Sequence, residues 1–589
     1  MDLLLFKKYI KKQLYIIIIM CGIFALLNDN NNAKEVNDEF MKGQGRGPEF
    51  SKLDTSYIKM TLGFHRLAIN GLNEASNQPL IINDIILICN GEIYNYKQLY
   101  KTMGIEPETG SDCEVIIHLF LRYGIEQMLT MLDGVFAFIL FDNRISEDLN
   151  NKVYVARDPF GVRPLYYLKN SVDIGFVPSD IMYGFASELK CLEHFYNKNT
   201  NNYSIEQFQP GTYSVYNLSN KVFSIWTPIK ENIVYFVPSF SYISSIDDEQ
   251  NFVPLLDNVY KNIKYYLTSA VEKRCLTTER PIACLLSGGL DSSLIAALVS
   301  EYYKNNHIGK VLETYSIGLE GSEDLKYARV VAHYIGSKHN EIILTEDDMF
   351  NAIPEVIQKI ESYDTTSVRA SIGNYLLGKY ITAHSDAKVI FNGDGSDELL
   401  GGYLYMNNCP DDIEFDKETR RLLKDIHLFD VLRSDKSISS NGLEPRTPFL
   451  DKSFVNYVLS IPAYFRNHKN IGKIEKFLLR QAFSGDFCNE KKILPDEILW
   501  RKKEAFSDGV SSHGRSLYTI LQEKIAKKLE NVITPFTEGI QTEKYYYKQI
   551  FDKLFPNCHS IVPYFWMPKY TDATDPSART LTFYEKTNS

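Results

Sequence analysis

The first third of the chain alternates short apolar runs with turns. Residues 85–89, 134–142 and 152–157 are rich in β-branched and aromatic side chains, and glycine, asparagine or aspartate bounds the runs. Runs of this length and composition predict β-strands. One stretch, 115–123, has a helical apolar period instead. The pattern therefore indicates a β-rich first domain, which we place at residues 21–226.

The pattern changes after an irregular segment, 227–250, that mixes proline, serine and aromatic residues. We interpret this segment as a linker. Beyond it, strand-like runs alternate with helical periods: strands at 282–286, 311–317, 339–344 and 388–391, and helices at 292–303 and 325–335. Such alternation predicts βαβ units, and hence a parallel sheet covered by helices. We therefore assign residues 251–589 to a second, α/β domain.

The composition excludes several classes of protein. Hydrophobic residues form 44% of the 589-residue chain and charged residues 23%, which is typical of globular proteins. The formal net charge is −10 and no basic cluster is interleaved with aromatic residues, so we expect no nucleic-acid partner. The nine cysteines are odd in number and form no C-x-x-C pair, which predicts free thiols in a reducing, cytoplasmic compartment.

The first twenty residues, MDLLLFKKYIKKQLYIIIIM, differ from the rest of the chain. Lysines precede an apolar run that is much shorter than a membrane span, and no small-residue cleavage site follows it. We therefore expect neither a membrane anchor nor a signal peptide, and no membrane partner. We predict that residues 1–20 are an extension that is absent from, or removed in, the active protein.

A turn rich in glycine and serine, LLSGGLDSS at positions 285–293, lies where a predicted strand meets a helix. Gly288 and Gly289 allow the backbone to approach an anion, and the start of the helix supplies unpaired N–H groups. The lysine of the G-x-x-x-x-G-K-[ST] phosphate loop has no counterpart here. The string resembles instead the pyrophosphate loop of ATP pyrophosphatases, which implies ATP as a substrate.

A second, acidic loop, FNGDGSDELLGGY at 391–403, follows another predicted strand. Asp397 in this loop is a candidate to bind Mg²⁺ together with Asp291, because the ion prefers hard oxygen ligands and bridges them to phosphates. An Asx-rich surface turn is the alternative for such a string. The position of both loops at strand ends favours the metal site.

Cys21 is a candidate nucleophile. At a mature N-terminus its α-amino group, with an unperturbed pKa of about 7.7–8.0, can accept the thiol proton. In isolation a cysteine is more often a buried packing residue. Catalysis is favoured by three strings that follow it along the chain: FHRLAIN at 64–70, NGEIYN at 90–95 and TGSDCE at 109–114.

With these strings the chain closely resembles the glutamine-hydrolysing asparagine synthetases, from Cys21 to the tail YFWMPKYTDATDPSARTL. The resemblance implies an α/β multidomain protein: an N-terminal-nucleophile αββα sandwich glutaminase domain followed by an α/β parallel-sheet ATP-pyrophosphatase domain. It also implies that Cys21 attacks glutamine while the Asn90 side chain and the Gly91 N–H form an oxyanion hole.

The resemblance also implies a glutamine pocket. Arg66 would pair with the α-carboxylate through its guanidinium fork, and Glu92 and Asp112 would hold the α-ammonium group. The implied glutamine-binding residues are Arg66, Leu67, Ala68, Ile69, Asn70, Asn90, Gly91, Glu92 and Asp112.

In the second domain the resemblance implies an adenylation site. Lys503 would act against charge that develops during adenylation, and Asp394 lies at the position linked to forming β-aspartyl-AMP and receiving ammonia. The implied ATP-binding residues are Leu285, Ser287, Gly288, Gly289, Asp291, Ser292, Ser293, Ile317, Asn392 and Gly393. The residues implied to contact aspartate or pyrophosphate are Arg369, Lys476 and Lys503, and those implied to bind the metal are Asp291 and Asp397.

Two strings depart from the family pattern. The pattern H-R-G-P-D reads G-R-G-P-E here, with Gly45 in place of histidine and Glu49 in place of aspartate. The pattern S-G-E-G-S-D-E reads N-G-D-G-S-D-E, so Asp394 stands where glutamate is usual. Aspartate is one methylene shorter, so a proton-transferring Asp394 requires a closer backbone.

The expected reaction converts L-aspartate, ATP and L-glutamine into asparagine, AMP, pyrophosphate and glutamate, with a homodimer as an open alternative to a monomer. A β-lactam-synthetase-like cyclase is a second hypothesis, but that family lacks a working N-terminal cysteine. A nucleotide-binding protein without catalysis is a third, and the retained charged positions argue against it. A phosphoribosyl-amidotransferase is excluded by SGGLDSS.

Overall fold

The computed structural model of the chain describes ten segments, namely residues 21–144, 151–171, 181–219, 224–241, 249–306, 309–485, 492–503, 509–511, 515–530 and 540–577. The predicted extension, residues 1–20, lies outside the described residues.

Two antiparallel sheets form the first domain, each with six strands among the described residues. Sheet 1 contains β1 (Gly22–Leu27), β2 (Phe50–Tyr57), β3 (Met60–Arg66), β8 (Tyr166–Asn170), β9 (Tyr183–Ala186) and β10 (Tyr203–Gln207), in the order β10-β8-β9-β1-β3-β2. Sheet 2 contains β4 (Leu80–Ile82), β5 (Ile85–Ile93), β6 (Gly134–Asp142), β7 (Lys152–Arg157), β11 (Thr212–Ser219) and β12 (Ile225–Val234), in the order β12-β11-β7-β6-β5-β4.

Alternation along the strands explains why the two sheets pack face to face. In β1, Ile23 and Ala25 enter the core between the sheets with Ile88 of β5, whereas Phe24 and Leu26 point to the outer face. Side chains of successive strand residues point to opposite faces, so a continuous apolar run buries both.

Helices cover the two outer faces of this sandwich. The first domain contains α1 (Ala33–Met41), α2 (Tyr96–Met103), α3 (Val115–Met131) and α4 (Glu193–Asn197). Phe40 of α1 packs with Phe24 on the outer face of sheet 1, and Leu99 of α2 and Val115 of α3 pack on Leu87 of sheet 2. The predicted αββα sandwich is therefore confirmed.

The predicted boundary between the domains is too early. Residues 227–234, placed in the linker, continue β12 and pair with β11, from Ser219↔Ile225 to Thr212↔Val234. This edge strand contains polar and charged residues, so its sequence lacks the apolar pattern that would have predicted a strand. The segment that joins the domains therefore starts after Val234, and part of it, 242–248, lies outside the described residues.

A five-stranded parallel sheet forms the centre of the second domain. It contains β13 (Ile282–Leu285), β14 (Glu313–Leu319), β15 (Lys338–Leu344), β16 (Val389–Phe391) and β17 (Glu444–Arg446), in the order β15-β14-β13-β16-β17. Every pair is parallel. The four predicted strands and the parallel sheet are confirmed, whereas three-residue β17 carries too short an apolar pattern to be predicted.

Helices pack on both sides of this sheet. They are α5 (Glu249–Leu276), α6 (Leu290–Asn306), α7 (Glu323–Ile335), α8 (Glu346–Asn351), α9 (Ile353–Ile360), α10 (Thr365–His384), α11 (Ser396–Leu400), α12 (Asp412–Asp425), α13 (Asp430–Ser439), α14 (Lys452–Ser460), α15 (Ala463–Arg466), α16 (Phe477–Ala482), α17 (Asp496–Leu499), α18 (Leu517–Leu529) and α19 (Ile540–Leu554). Helices α6 and α7 confirm the two predicted ones. Among the described residues, no helix combines the length and apolar character that a membrane crossing requires.

Candidate functional site

Cys21 immediately precedes β1, at the end of the sandwich that faces the second domain. Its thiol donates a hydrogen bond to the Leu67 carbonyl oxygen at 3.3 Å. Arg46 Nε donates to the Cys21 carbonyl oxygen at 3.0 Å and fixes the backbone of this residue. Burial raises the pKa of the Cys21 thiol to about 12. Attack by this sulfur therefore requires a base that removes the proton.

His65, the nearest histidine in sequence, is not placed to be that base. Its Nδ1 lies 2.7 Å from Ser51 Oγ and its Nε2 lies 3.0 Å from the Phe40 carbonyl oxygen. Its ring stacks on Phe40 at 3.9 Å between centroids. Burial lowers the pKa of His65 to about 4. Both ring nitrogens are satisfied, so His65 is a packing residue.

Arg66 ends β3, and the loop that follows carries the rest of the predicted glutamine-binding run. Arg66 donates to the Asn73 carbonyl at 3.0 Å, to Asn77 Oδ1 at 2.7 Å and to the carbonyls of Asn70 and Gly71. These acceptors are neutral, so they leave the positive charge of the guanidinium group available to an anionic ligand. Burial lowers the pKa of Arg66, an effect that an incoming carboxylate would offset.

The second domain holds the rest of this loop. Arg280 Nε donates to the Ala68 carbonyl at 2.8 Å, and the Ala68 N–H donates to Glu49 Oε2 at 2.7 Å. Asn70 Nδ2 donates to the Thr277 carbonyl at 3.1 Å. Leu67 and Ile69 are buried in the apolar cluster that the two domains share. The glutamine loop is thus anchored on residues that follow α5.

Strand β5 brings Asn90, Gly91 and Glu92 to the same end of the sandwich. Asn90 Nδ2 donates to Ser187 Oγ at 3.3 Å, and the same oxygen accepts from the Ile23 N–H at 3.1 Å. A Cβ at Gly91 would lie 2.5 Å from the Val135 carbonyl oxygen, so only glycine fits there. Ser187 therefore ties Asn90 to the strand of Cys21.

Glu92 and Asp112 are two buried carboxylates close enough for their charges to interact. Burial, and then the charge of Asp112, raises the pKa of Glu92. Burial also raises the pKa of Asp112 to about 6. Glu92 Oε2 accepts from Asn70 Nδ2 at 2.8 Å, and Asp112 Oδ2 accepts from the Ile93 N–H at 2.7 Å. Two adjacent buried carboxylates favour a cationic ligand group, which would lower both pKa values.

Arg446, at the end of β17, joins this pocket to the second domain. Its Nη2 lies 3.5 Å from Glu92 Oε2, and its Nε donates to Glu444 Oε1 at 2.7 Å. Its carbonyl oxygen accepts the Asn392 N–H at 3.1 Å. One residue thus contacts both the glutamine pocket and the loop that follows β16. Sequence reasoning missed it, because no motif marks a partner this distant in sequence.

A cavity of about 240 Å³ lies at the carboxyl ends of β13, β14 and β16. Twelve of the predicted residues line it: Leu285, Ser287, Gly289, Asp291, Ser292, Ile317, Asn392, Gly393, Asp394, Asp397, Lys476 and Lys503. The carboxyl edge of a parallel sheet is the usual place for a ligand in such folds.

The turn between β13 and α6 is closed by serine hydroxyl groups. The Ser287 N–H donates to Ser292 Oγ at 3.1 Å, and the two hydroxyl oxygens are 2.9 Å apart. Gly288 has φ +73°, and a Cβ there would lie 2.5 Å from the Ala328 nitrogen. Gly288 and Ser293 are not among the residues that line the cavity. Gly288 provides the positive φ angle of the turn, and Ser293 is buried in α6.

Two carboxylates and two ammonium groups converge in the cavity. Lys476 Nζ lies 2.6 Å from Asp291 Oδ2 and 2.6 Å from Asp397 Oδ1. Lys503 Nζ pairs with the other oxygen of Asp397. Burial opposes ionisation of Asp397, but the Lys476 and Lys503 charges outweigh it and lower the pKa of Asp397. The cavity therefore presents charges of both signs at its base.

Asp394 is buried beside this cluster. Its Oδ1 lies 3.5 Å from Arg433 Nη2, and Arg433 donates to Asp430 Oδ1 at 2.6 Å. Its Oδ2 has no hydrogen-bond partner among the described residues. Burial raises the pKa of Asp394 despite the nearby Arg433 charge. An unpartnered carboxylate oxygen with a raised pKa is suited to proton transfer.

Arg369 is a correction to the predicted site. Its guanidinium donates to both oxygens of Glu543, at 2.9 and 2.7 Å, and to both oxygens of Asp575, at 2.9 and 2.8 Å. Its side chain also stacks on Tyr518 at 5.0 Å. Thr366 and Ala370 of α10 line the cavity, whereas Arg369 points to the C-terminal segment. Two buried carboxylates hold it there.

Comparison with known proteins agrees with the division into two domains. The family model described as asparagine synthase matches residues 262–412 and 407–572, and the glutamine amidotransferase domain matches 20–231. Asparagine synthetase [glutamine-hydrolyzing] of Gallus gallus is 43% identical over 96% of this chain and 99% of its own. The chain belongs to the glutamine-hydrolysing asparagine synthetase family.

The Homo sapiens member of the family is 40% identical over 96% of this chain and 99% of its own. The motif-based resemblance is therefore confirmed along nearly the whole chain. Among solved structures, NMN synthetase from Francisella tularensis matches 53% of this chain and 98% of its own, with 11% identity and a TM-score of 0.25, which supports no conclusion.

Proposed function

We propose that this protein makes L-asparagine from L-aspartate and ATP, with ammonia released from L-glutamine, through a β-aspartyl-AMP intermediate. One observation supports the proposal most strongly. The pocket beside Cys21 and the cavity at the 285–293 turn lie on two sides of one buried interface between the domains. Arg446 contacts Glu92 on one side and Asn392 on the other. AMP, pyrophosphate and glutamate are the other products.

The direct test measures products. Aspartate, ATP, Mg²⁺ and glutamine are incubated with the protein, and asparagine, AMP and pyrophosphate should accumulate in equal amounts. ADP and phosphate in their place would contradict adenylation. ATP-dependent closure of a β-lactam ring in a β-amino acid, without aspartate or glutamine, would instead support the β-lactam-synthetase-like hypothesis.

In the glutaminase step, Cys21 would attack the amide carbon of glutamine, and Asn90 with the Gly91 N–H would stabilise the tetrahedral oxyanion. The positive Arg66 would receive the α-carboxylate, and the raised pKa values of Glu92 and Asp112 support their role in holding the α-ammonium group. Leu67 to Asn70 would form the wall between these groups.

The base for Cys21 would be its own α-amino group. The raised pKa of the thiol demands a base, and His65 is engaged elsewhere. An α-amino group has an unperturbed pKa of about 7.7–8.0 and lies on the same residue. A peptide bond to Met20 would replace it with an amide that is not basic.

We therefore predict that a form of the protein that keeps residues 1–20 attached hydrolyses no glutamine but makes asparagine from free ammonia. Intact-mass spectrometry identifies the N-terminus of each preparation, and glutamate release measures hydrolysis. A form that starts at Cys21 is the control. Glutamine-dependent synthesis by the extended form, with its mass confirmed after the assay, would refute the α-amino mechanism.

In the synthetase step, the 285–293 turn would bind the pyrophosphate part of ATP, and Lys476 and Lys503 would face the charge that develops as the carboxylate attacks the α-phosphate. Asp291 and Asp397 would hold Mg²⁺, because each brings a carboxylate oxygen to the same part of the cavity, where both contact the Lys476 ammonium group at 2.6 Å. The ion needs one or two carboxylates plus phosphates, and it would neutralise phosphate charge.

Asp394 would accept a proton from the ammonia that attacks β-aspartyl-AMP. We predict that Asp394→Ala lowers asparagine formation by about 10²–10⁴-fold, the usual contribution of a general base. Asp394→Glu should retain much of the activity, because it restores the residue usual in this family. Asparagine is measured with saturating ammonia, so that the glutaminase does not contribute.

The control for Asp394 is glutamine hydrolysis, which neither substitution should change. Full asparagine formation by Asp394→Ala would reduce this residue to a turn former. Assembly as a homodimer stays a prediction.

A further inference from the structure

A second cavity, of about 390 Å³, lies between the two domains and away from both sites described above. Lys42, Gly45 and Arg46 form one wall, and Lys359 and Phe555 lie among the residues opposite. The remaining lining residues are Gly43, Glu188, Lys190, Glu193, Gln358, Ser440 and Leu554. Gly45, which stands where the family pattern has histidine, lines this cavity.

Glu188, one of the two carboxylates that line this cavity, is already paired with cations. Glu188 contacts Arg46 at 2.9 Å, Lys190 at 2.5 Å and Lys436 at 3.3 Å. Glu193, in the wall, accepts from Asn197. The protein therefore supplies carboxylate partners for most of the cations here.

Lys359 is different. It makes no hydrogen bond or ion pair with any described residue, although it lines the cavity and is half-buried. Burial, and then the charge of Lys190, lowers the pKa of Lys359, with Glu188 and Glu355 opposing the change. Burial disfavours the charged form of this ammonium group, and a bound anion would favour it.

The other lining groups indicate which anion fits. Lysines bind phosphate as point charges, and Gln358 and Ser440 offer an amide and a hydroxyl group beside Lys359. Leu554 and Phe555 give the cavity an apolar side that a bare inorganic ion would not use. We propose that this cavity binds a small phosphate monoester, with its phosphate against Lys359 and its organic part against Leu554 and Phe555.

The wall of the cavity also reaches the glutaminase nucleophile. Arg46 contacts Glu188 in the wall, donates to the Cys21 carbonyl at 3.0 Å and pairs with Asp435 of the second domain at 2.8 Å. A phosphate that competes with Glu188 for the cations would shift Arg46 and hence Cys21. Bound ester therefore regulates glutamine hydrolysis, a claim that rests on the proposed function.

Calorimetric titration of the full chain at pH 8 tests the binding, with phenyl phosphate and inorganic phosphate as probes. Phenyl phosphate should bind at least several-fold more tightly than inorganic phosphate. Lys359→Gln should weaken phenyl phosphate at least tenfold, and Gln358→Ala, on the exposed side of α9, should weaken it less. Lys101→Gln, an exposed lysine of α2 with the same change of charge, is the matched control and should bind as the wild type.

The site would be refuted if the wild type did not bind phenyl phosphate, or if Lys359→Gln and Lys101→Gln weakened binding equally. It would also be refuted if binding survived Lys359→Gln and were lost in Lys503→Ala, because the probe would then lie in the adenylation cavity. Equal affinity for both probes would overturn the ester assignment.

The regulatory claim has a separate readout. Phenyl phosphate should change KM or kcat for glutamine in the wild type and not in Lys359→Gln. Binding without such a change would overturn regulation alone, whereas absence of any glutamine hydrolysis would count against the proposed function and leave the titration result standing.

Discussion

Replacement of Cys21 by alanine should abolish glutamine hydrolysis and leave asparagine synthesis from free ammonia intact. The loss should be at least about 10³-fold, because the residue that forms and breaks the covalent bond is removed. The buried contact of the thiol with the Leu67 carbonyl is weak, so the fold should persist. Glutamate release and ammonia-dependent asparagine formation are measured on the same preparation.

Cys558→Ala is the control for this substitution, because Cys558 is buried in an apolar cluster where the second domain packs on the outer face of sheet 1. It should leave glutamine hydrolysis unchanged. Hydrolysis by Cys21→Ala at more than a few per cent of the wild-type rate would show that another residue is the nucleophile.

The second large effect is expected at the adenylation cavity. Lys503→Ala and Asp291→Asn should each stop pyrophosphate formation from aspartate and ATP, by about 10²–10³-fold or more, and leave glutamine hydrolysis measurable. Lys503 pairs with Asp397 at the base of the cavity. Its positive charge would stabilise the negative charge that develops on the phosphate during adenylation. Pyrophosphate release and glutamate release separate the two activities.

Lys417→Ala is the matched control, since Lys417 is exposed on α12 and pairs only with Glu414 at 2.9 Å among the described residues. It should retain both activities. Equal loss of pyrophosphate formation and glutamine hydrolysis in folded Lys503→Ala would argue against two separate sites.

The periodic parts of the fold could be predicted from the sequence, and the interrupted parts could not. The apolar run 85–89 predicted a strand, but β5 continues to Ile93 through Asn90, Gly91 and Glu92, which pair with β6. Polar residues in a strand break its apolar pattern, and here they are the residues proposed to bind glutamine. The second half of β12 was not predicted for the same reason.

Residues that lie at the ends of neighbouring parallel strands could also be predicted to meet. Asp291 and Asp397 lie in the first turns of α6 and α11, which follow β13 and β16, and both contact Lys476 in the structure. Contacts between distant segments could not be predicted: Arg46 and Asp435 are 389 positions apart. Arg369 illustrates the converse, because a motif near the cavity did not reveal that Glu543 and Asp575 hold its side chain.

We propose above that one chain moves the amide nitrogen of glutamine to aspartate. The most direct measurement uses glutamine labelled with ¹⁵N at the amide, together with aspartate, ATP, Mg²⁺ and an equal concentration of unlabelled ammonium chloride. Mass spectrometry of the asparagine should show ¹⁵N in most molecules made by the form that starts at Cys21, and unlabelled asparagine alone from Cys21→Ala. Asparagine without ¹⁵N from the form that starts at Cys21, or none at all, would contradict the account.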